Sequence, residues 1–163
     1  MLPACYQNRG DSGFDELTGA SAGNFFSEPA LGRAVSRLDW NRDGLPDLAV
    51  TSVGTSAALL TNITPDAGNF VKFQLVGTSS ERCAFGARVQ LDSGDRTWTR
   101  QLVAGDGFSA ANQRCLIFGI DDRSKLDRVI VTWPSGRIQT YKNPEPNSHY
   151  TIVEDSNKVW KKP

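Results

Sequence analysis

The chain has 163 residues, of which 39% are hydrophobic, and it carries 18 Lys and Arg residues against 18 Asp and Glu residues. A chain of this length fits one ordinary domain, alone or with a fragment of another. The zero net charge argues against a nucleic-acid binder, which usually shows a clustered basic excess. No apolar run approaches the roughly 20 residues of a transmembrane helix, so we also expect no membrane insertion.

The N-terminal region shows weak structural signals. Its first residues, MLPACYQNRG, lack a positive segment followed by an apolar one, so we expect no signal peptide in this chain. The chain is then either cytosolic or an excised piece of a longer secreted protein. Residues 6–18 indicate a hairpin or a loop, and residues 20–32 read as an irregular connection.

An acidic loop follows at residues 39–47. Numbered from Asp39 as position 1, its oxygen-bearing side chains fall at positions 1, 3, 5 and 9, and a glycine stands at position 6. These residues are Asp39, Asn41, Asp43, Asp47 and Gly44. The carbonyl group of Leu45, at position 7, adds a main-chain oxygen. This spacing is typical of a tight loop that wraps a hard cation such as Ca²⁺.

The acidic loop has three other interpretations, of which the sequence excludes one and leaves two open. An EF-hand needs a Glu at position 12, and Val50 stands there in a strand pattern, so the loop is not an EF-hand. The loop is otherwise an Asp- and Asn-rich turn whose side chains bond only to the backbone, or an active-site cluster of carboxylates. We favour the cation because a turn needs only one or two such residues, and no nucleophile or base accompanies the carboxylates.

In the rest of the chain, apolar and polar residues tend to alternate at every second position, which is the pattern of β-strands. Two strands at 47–52 and 56–62 flank a glycine-containing turn, and a polar Pro- and Gly-containing stretch at 64–69 marks a boundary. Further strands are predicted at 70–77, 87–93, 97–104, 115–120, 127–133, 137–141 and 149–153. There is no convincing amphipathic helix. The pattern predicts an all-β fold, with a β-sandwich or barrel in the C-terminal part.

The boundary divides the chain into residues 1–64 and residues 65–163. The first part is too small for an independent core, so it packs on the second part or belongs to something outside this chain.

The aromatic residues and the single histidine have structural roles as their default interpretation. Trp133 in the WPSGR segment (133–137) is expected in the core, with a surface platform for a sugar or peptide as the alternative. Trp40 is expected to point outward from the acidic loop, and Trp98 to lie on a sheet face. His149 lies in a strand pattern without a triad-like motif nearby, so no catalytic residue is predicted.

Two groups of segments resemble known families. NRGDSGFDELTGASA and LGRAVSRLDWNRDGLPDLAVTS look like an FG-GAP repeat of integrin-like β-propellers. Downstream, FVKFQLVGTSSERCAFGARVQL, GDGFSAANQRCLIFGI and LDRVIVTWPSGRIQTY resemble the ASPIC/UnbV domain, which closes proteins similar to the cartilage acidic protein family.

The resemblance implies a propeller-blade-like unit before a β domain. It also implies that the acidic loop joins two strands of a blade and holds Ca²⁺, with Asp39, Asn41, Asp43, Leu45 and Asp47 as ligands. A single FG-GAP unit cannot close a propeller, so the chain resembles the C-terminal part of a larger extracellular, cell-surface or periplasmic protein.

The three cysteines leave two interpretations open. Cys83 and Cys115 each stand just before a predicted strand, so they either form a disulfide across a sheet edge, as an extracellular family allows, or stay free with Cys5.

The predicted function is non-enzymatic: a calcium-binding extracellular module for adhesion or recognition. Its expected partners are an extracellular protein or glycan and the remaining propeller blades of its own full-length chain. The alternatives are a carbohydrate-binding module of a secreted enzyme, an enzyme fragment whose active site lies elsewhere, and a structural cap of a propeller.

Overall fold

A computed structural model describes residues 1–162, and β-strands dominate it. The strands of the N-terminal part are β1 (Cys5–Asn8), β2 (Phe14–Leu17), β3 (Gly32–Leu38), β4 (Asp47–Ser52) and β5 (Ala58–Leu60). Those of the C-terminal part are β6 (Phe70–Val76), β7 (Arg88–Ser93), β8 (Arg96–Gln101), β9 (Leu116–Gly119), β10 (Arg128–Thr132), β11 (Ile138–Lys142), β12 (Ser148–Val153) and β13 (Val159–Lys162). The helical elements are one turn, α1 (Gly19–Ala22), and two 3₁₀ turns, Gly10–Ser12 and Asn24–Ser27. The predicted all-β fold is confirmed.

Two four-stranded sheets form the C-terminal part, in the orders β11-β10-β7-β8 and β13-β12-β6-β9. The buried hydrophobic cluster draws residues from both sheets, so the core lies between them and the predicted sandwich-like arrangement is present without a closed barrel. Strand β6 illustrates how one sheet contributes to this core. Its residues Val71, Phe73 and Leu75 are buried at alternate positions and face the core. Side chains of the intervening positions, Lys72 and Gln74, therefore project from the opposite face of the sheet.

The N-terminal part contains the hairpin β1-β2 and the three-stranded sheet β3-β4-β5. All 17 buried hydrophobic residues of the described chain lie between Val71 and Ile152, so these two small sheets contribute none. Large apolar side chains such as Val35 and Leu59 are instead about half exposed. Residues 6–18, which the sequence left open as a hairpin or a loop, form the hairpin β1-β2. Within the described residues, this part has no buried hydrophobic residue of its own, as its small size led us to expect.

The sequence patterns do not predict β3 and β13. Strand β3 places Arg33 and Arg37 between small residues, so its apolar alternation is weak, and it forms by pairing with β4. Strand β13 is only four residues long, ends in two lysines and pairs with β12. Both elements depend on a neighbouring strand rather than on their own composition. Within residues 1–162 no helix has the length and apolar character to span a membrane.

Candidate functional site

The acidic loop connects β3 to β4, two antiparallel neighbours in one sheet. Its two ends are buried, with Asp39 at 2% and Asp47 at 0% exposure, whereas Asn41, Arg42 and Asp43 at the tip are exposed. Because Leu38 and Asp47 are paired in the strand register, the loop closes directly on the end of the hairpin. The predicted side chains therefore lie on one short loop, as the spacing requires.

Asp47 closes the loop through the backbone. Its Oδ2 accepts a hydrogen bond from the Trp40 N–H at 3.0 Å, and its Oδ1 accepts one from the Asn62 N–H at 2.8 Å. The carboxylate thus ties the start of the loop to the segment after β5. A buried carboxylate requires hydrogen-bond donors, and these two N–H groups supply them, so Asp47 has a structural role whether or not a cation binds.

The tip of the loop is held by local hydrogen bonds. Asp43 Oδ1 accepts from the Leu45 N–H at 2.8 Å, and Asp43 Oδ2 accepts from Asn41 Nδ2 at 2.7 Å. The Asn41 Oδ1 in turn accepts from the Asp43 N–H at 3.3 Å. These are the side-chain-to-backbone turns that the alternative interpretation of the sequence proposes.

Asp39 differs from the other two loop carboxylates because it pairs with a basic side chain of the sandwich. Its Oδ2 lies 2.8 Å from Nζ of Lys72 on β6, and both side chains are almost completely buried, at 1% and 2% exposure. The Asp39 N–H donates to Gln113 Oε1 at 3.1 Å. Asp39 Oδ1 is buried and has no hydrogen-bond partner among the residues described. One carboxylate oxygen is therefore paired with a lysine from the neighbouring part, while the other is available.

Gly44 packs the loop against the start of β6. Its φ of 86° lies in the left-handed region, and a Cβ added there would lie 2.3 Å from the Phe70 ring. Glycine is required at this position both by the backbone conformation and by the close approach of an aromatic ring.

We expect Gly44→Ala to lower the free energy of unfolding by about 2 kcal/mol or more, because it adds an overlap with Phe70 to the backbone strain. The matched control is Gly54→Ala, at φ 79° with nothing within 4 Å of an added Cβ, where about 1 kcal/mol of backbone strain alone is expected. Urea unfolding of both variants measures the difference, and equal losses would contradict the packing of Gly44 on Phe70.

The loop oxygens agree in type with a calcium site, but three carboxylates do not converge. Across residues 1–162 no group of three or more His, Cys, Asp or Glu side chains is close enough to hold a metal ion. The loop also offers the Asn41 amide oxygen and main-chain carbonyl groups, which calcium accepts as ligands. Asp39 Oδ1 is the one buried side-chain oxygen of the loop without a partner among the described residues.

The structure decides several of the other sequence interpretations. Trp133 is 2% exposed and belongs to the core, so it cannot stack on a sugar, and the platform interpretation of that residue is wrong. Trp40 is half exposed and donates from Nε1 to Thr61 Oγ1 at 3.0 Å. Cys5, Cys83 and Cys115 are free thiols, so the Cys83–Cys115 disulfide is not formed.

A second polar centre, not predicted from the sequence, lies around Glu154. This carboxylate is 1% exposed. Its oxygens accept hydrogen bonds from the backbone N–H groups of Thr78, Ser79 and Ser80 and from the hydroxyl groups of Ser80 and Ser135. Burial raises the pKa of Glu154, but the bonds from Ser135, Ser80 and Thr78 outweigh that effect and hold the pKa at about 2. The serine of the WPSGR segment therefore binds a buried carboxylate inside the domain.

Comparison with known proteins assigns the chain to a protein family. A search of curated proteins found no match to the chain. The family described as ASPIC and UnbV matches residues 77–159, just over half of the chain and most of the C-terminal sandwich. This family is not a known catalytic domain. The matched region includes the WPSGR segment and Glu154, and it leaves residues 1–76, with the acidic loop, outside the match. The chain therefore belongs to the ASPIC and UnbV family.

Proposed function

We propose that the protein is a non-enzymatic, calcium-binding recognition module of the extracellular space or periplasm, and that calcium binds the acidic loop. The observation that carries this proposal is the buried, unpartnered Oδ1 of Asp39, at the first position of a loop with oxygen donors at positions 1, 3, 5 and 9. A cation gives this oxygen the partner that a buried charge requires.

Each loop residue has a distinct part in the proposed site. Asp39, Asn41, Asp43 and Asp47 supply side-chain oxygens, and Leu45 supplies its carbonyl group. Asn41 and Asp43 are exposed, and the hydrogen bonds that occupy them are local to the loop. The bound ion would neutralise clustered carboxylates and stiffen the loop, which lies against β6 through Phe70 and Lys72.

The N-terminal part also supports a larger assembly. It contributes no buried hydrophobic residue to the described structure, and its three-stranded sheet exposes Val35 and Leu59. We propose that these apolar faces pack against further propeller blades of the full-length protein, as the FG-GAP resemblance implies. A structural cap that closes a propeller is the second candidate function, and the same exposed faces favour it.

We expect calcium to raise the thermal midpoint relative to a chelator. Ligand bound only to the folded state stabilises it by about 2.7 kcal/mol when free calcium is about 100 times Kd. Differential scanning calorimetry in calcium and in EDTA measures the shift. Asp43→Ala should abolish the shift, because it removes an exposed ligand, while Asp66→Asn, an exposed acidic residue outside the loop, should retain it. An identical midpoint in calcium and EDTA would refute a site at Asp39–Asp47.

A further inference from the structure

A basic cavity of about 280 Å³ lies beside the acidic loop, on the face of the β13-β12-β6-β9 sheet that points away from the core. Its lining includes Arg42, Lys72, Gln74, Arg114, His149 and Lys162. These residues come from the acidic loop, three neighbouring strands and the segment before β9. The cavity is therefore formed only when the two parts of the chain pack together.

The strand register explains why three of the basic groups are neighbours. His149 on β12 is paired with Lys72 on β6 and with Lys162 on β13. Residues directly opposite one another on adjacent strands project from the same face of the sheet. Lys72, His149 and Lys162 thus form a row across three strands, and the acidic loop and the 112–115 segment add Arg42 and Arg114 beside that row.

The positive charge of this cavity is largely uncompensated. Lys72 is paired with Asp39, but within residues 1–162 no carboxylate lies within 4.0 Å of the cationic groups of Arg42, Arg114 or Lys162. Lys162 bonds instead to the neutral Gln74, and Arg114 to the Cys83 sulfur. Several other basic groups of the sandwich do have an acidic partner, among them Arg96, Arg123, Arg128, Arg137 and Lys161. Like charges around one cavity repel, so the arrangement favours a negative ligand.

Two further polar atoms point to the same face. The Nε2 of His149 and the Oγ1 of Thr151, two residues further along β12, are buried without a hydrogen-bond partner among the residues described. The pKa of His149 is lowered to about 4, first by burial and then by the positive charges of Lys72, Lys162 and Arg42, with Asp39 acting in the opposite direction. The ring is thus neutral at pH 7, mainly because it is buried, and the nearby positive charges act in the same direction.

We infer that this cavity binds a small ligand that carries a doubly negative tetrahedral oxyanion, a phosphate monoester, for which inorganic sulfate and inorganic phosphate serve as probes of the same shape. Three uncompensated cations match a dianion better than a monoanion, because Coulomb attraction grows with ligand charge. The guanidinium groups of Arg42 and Arg114 offer paired N–H donors, which suit such oxyanions. This site does not depend on calcium binding at the acidic loop.

The single histidine makes binding observable. We expect inorganic sulfate and inorganic phosphate to shift the ring proton signals of His149 saturably at millimolar concentration, in EDTA and at constant ionic strength set with chloride. Sulfate keeps its charge throughout a histidine titration. Saturating sulfate should therefore raise the pKa of His149 by about one unit or more, because a nearby negative charge favours the protonated ring.

Variants distinguish anion binding at this cavity from non-specific attraction to basic residues elsewhere on the protein. Arg114→Gln and Lys162→Gln, both at exposed residues, should each weaken the binding of sulfate or phosphate about tenfold, because each removes one charge-assisted contact. Arg88→Gln and Lys142→Gln, exposed positions on the other sheet, are the matched controls and should leave the dissociation constant unchanged. Saturable binding of both inorganic anions would support the dianionic oxyanion chemistry that a phosphate monoester shares with them.

Three results would overturn the inference. One is the absence of a saturable shift of the His149 signals with either anion. Another is an equal response to acetate, which would show that no dianion is selected. The third is an equal loss of affinity in the control variants, which would show that only the overall charge matters. Because all measurements are made in EDTA, any of these results leaves calcium binding at the loop to be judged by its own melting experiment.

Discussion

Lys72→Met is expected to lower the free energy of unfolding by about 3–5 kcal/mol in EDTA, because it leaves the buried Asp39 carboxylate without its positive partner. Asp39 and Lys72 are both 2% exposed, and their side chains lie 2.8 Å apart. The substitution removes the ammonium group while methionine retains much of the aliphatic stem. Urea unfolding of the variant and of the original chain measures the difference.

The effect of calcium on the stability of Lys72→Met provides a second measurement. If calcium binds Asp39, it replaces the missing positive charge, so we expect it to recover more stability in Lys72→Met than in the original chain. Lys161→Met is the matched control, because Lys161 pairs with Glu145 at the exposed surface, so this substitution should cost far less stability than Lys72→Met. An unchanged free energy of unfolding in Lys72→Met would contradict a buried ion pair between the two parts of the chain.

Glu154→Gln is expected to remove a stability contribution of about 2 kcal/mol that the carboxylate makes at neutral pH. The pKa of Glu154 is lowered from 4.5 to about 2, so the unfolded chain binds a proton at higher pH than the folded chain does. The contribution is therefore complete above pH 4.5 and is lost as the pH falls through about 2. The difference in unfolding free energy between the two proteins should narrow over that range.

The control for Glu154 is Glu145→Gln, an exposed partner of Lys161, which should change stability by less than about 1 kcal/mol at neutral pH. Glu154→Ala should be more destabilising than Glu154→Gln, because alanine offers no acceptor to the three backbone N–H groups of Thr78, Ser79 and Ser80. A pH-independent difference between Glu154→Gln and the original chain would show that the carboxylate charge has no stabilising role.

The two buried carboxylates organise different parts of the molecule. Asp39 joins the acidic loop to β6 of the sandwich, whereas Glu154 joins the segment after β6 to the turn after β10. The proposed calcium loop therefore rests on β6, directly before the region that matches the ASPIC and UnbV family, and contacts Gln113 within that region. The basic cavity lies at this same junction, so a change in how the two parts pack would alter both proposed sites.

Local patterns predicted most of the C-terminal sandwich. The alternation in FVKFQLV, for example, gives β6 one apolar face, and that face is the one in the core. Period 2 is a local property of a strand, so sequence spacing alone reveals it. The spacing of Asp39, Asn41, Asp43 and Asp47 likewise predicted one loop, and the FG-GAP resemblance implied its place between two strands. Calcium binding there stays a prediction.

Long-range partners could not be predicted in this way. Nothing in the spacing identifies Lys72 as the partner of Asp39, 33 residues earlier, or Ser80 as a donor to Glu154, 74 residues later. The sequence also left Cys83 and Cys115 open as a disulfide, which the structure does not contain.

The sequence by itself determined the all-β class and a loop of closely spaced oxygen donors, because strand alternation and turn chemistry are encoded within a few residues. Only the tertiary structure decided what surrounds that loop. The burial of Asp39 against Lys72, and the row of Lys72, His149 and Lys162 beside it, arise from strand pairing across distant segments. Such pairing depends on register and on the packing of two parts of the chain, which no local pattern specifies.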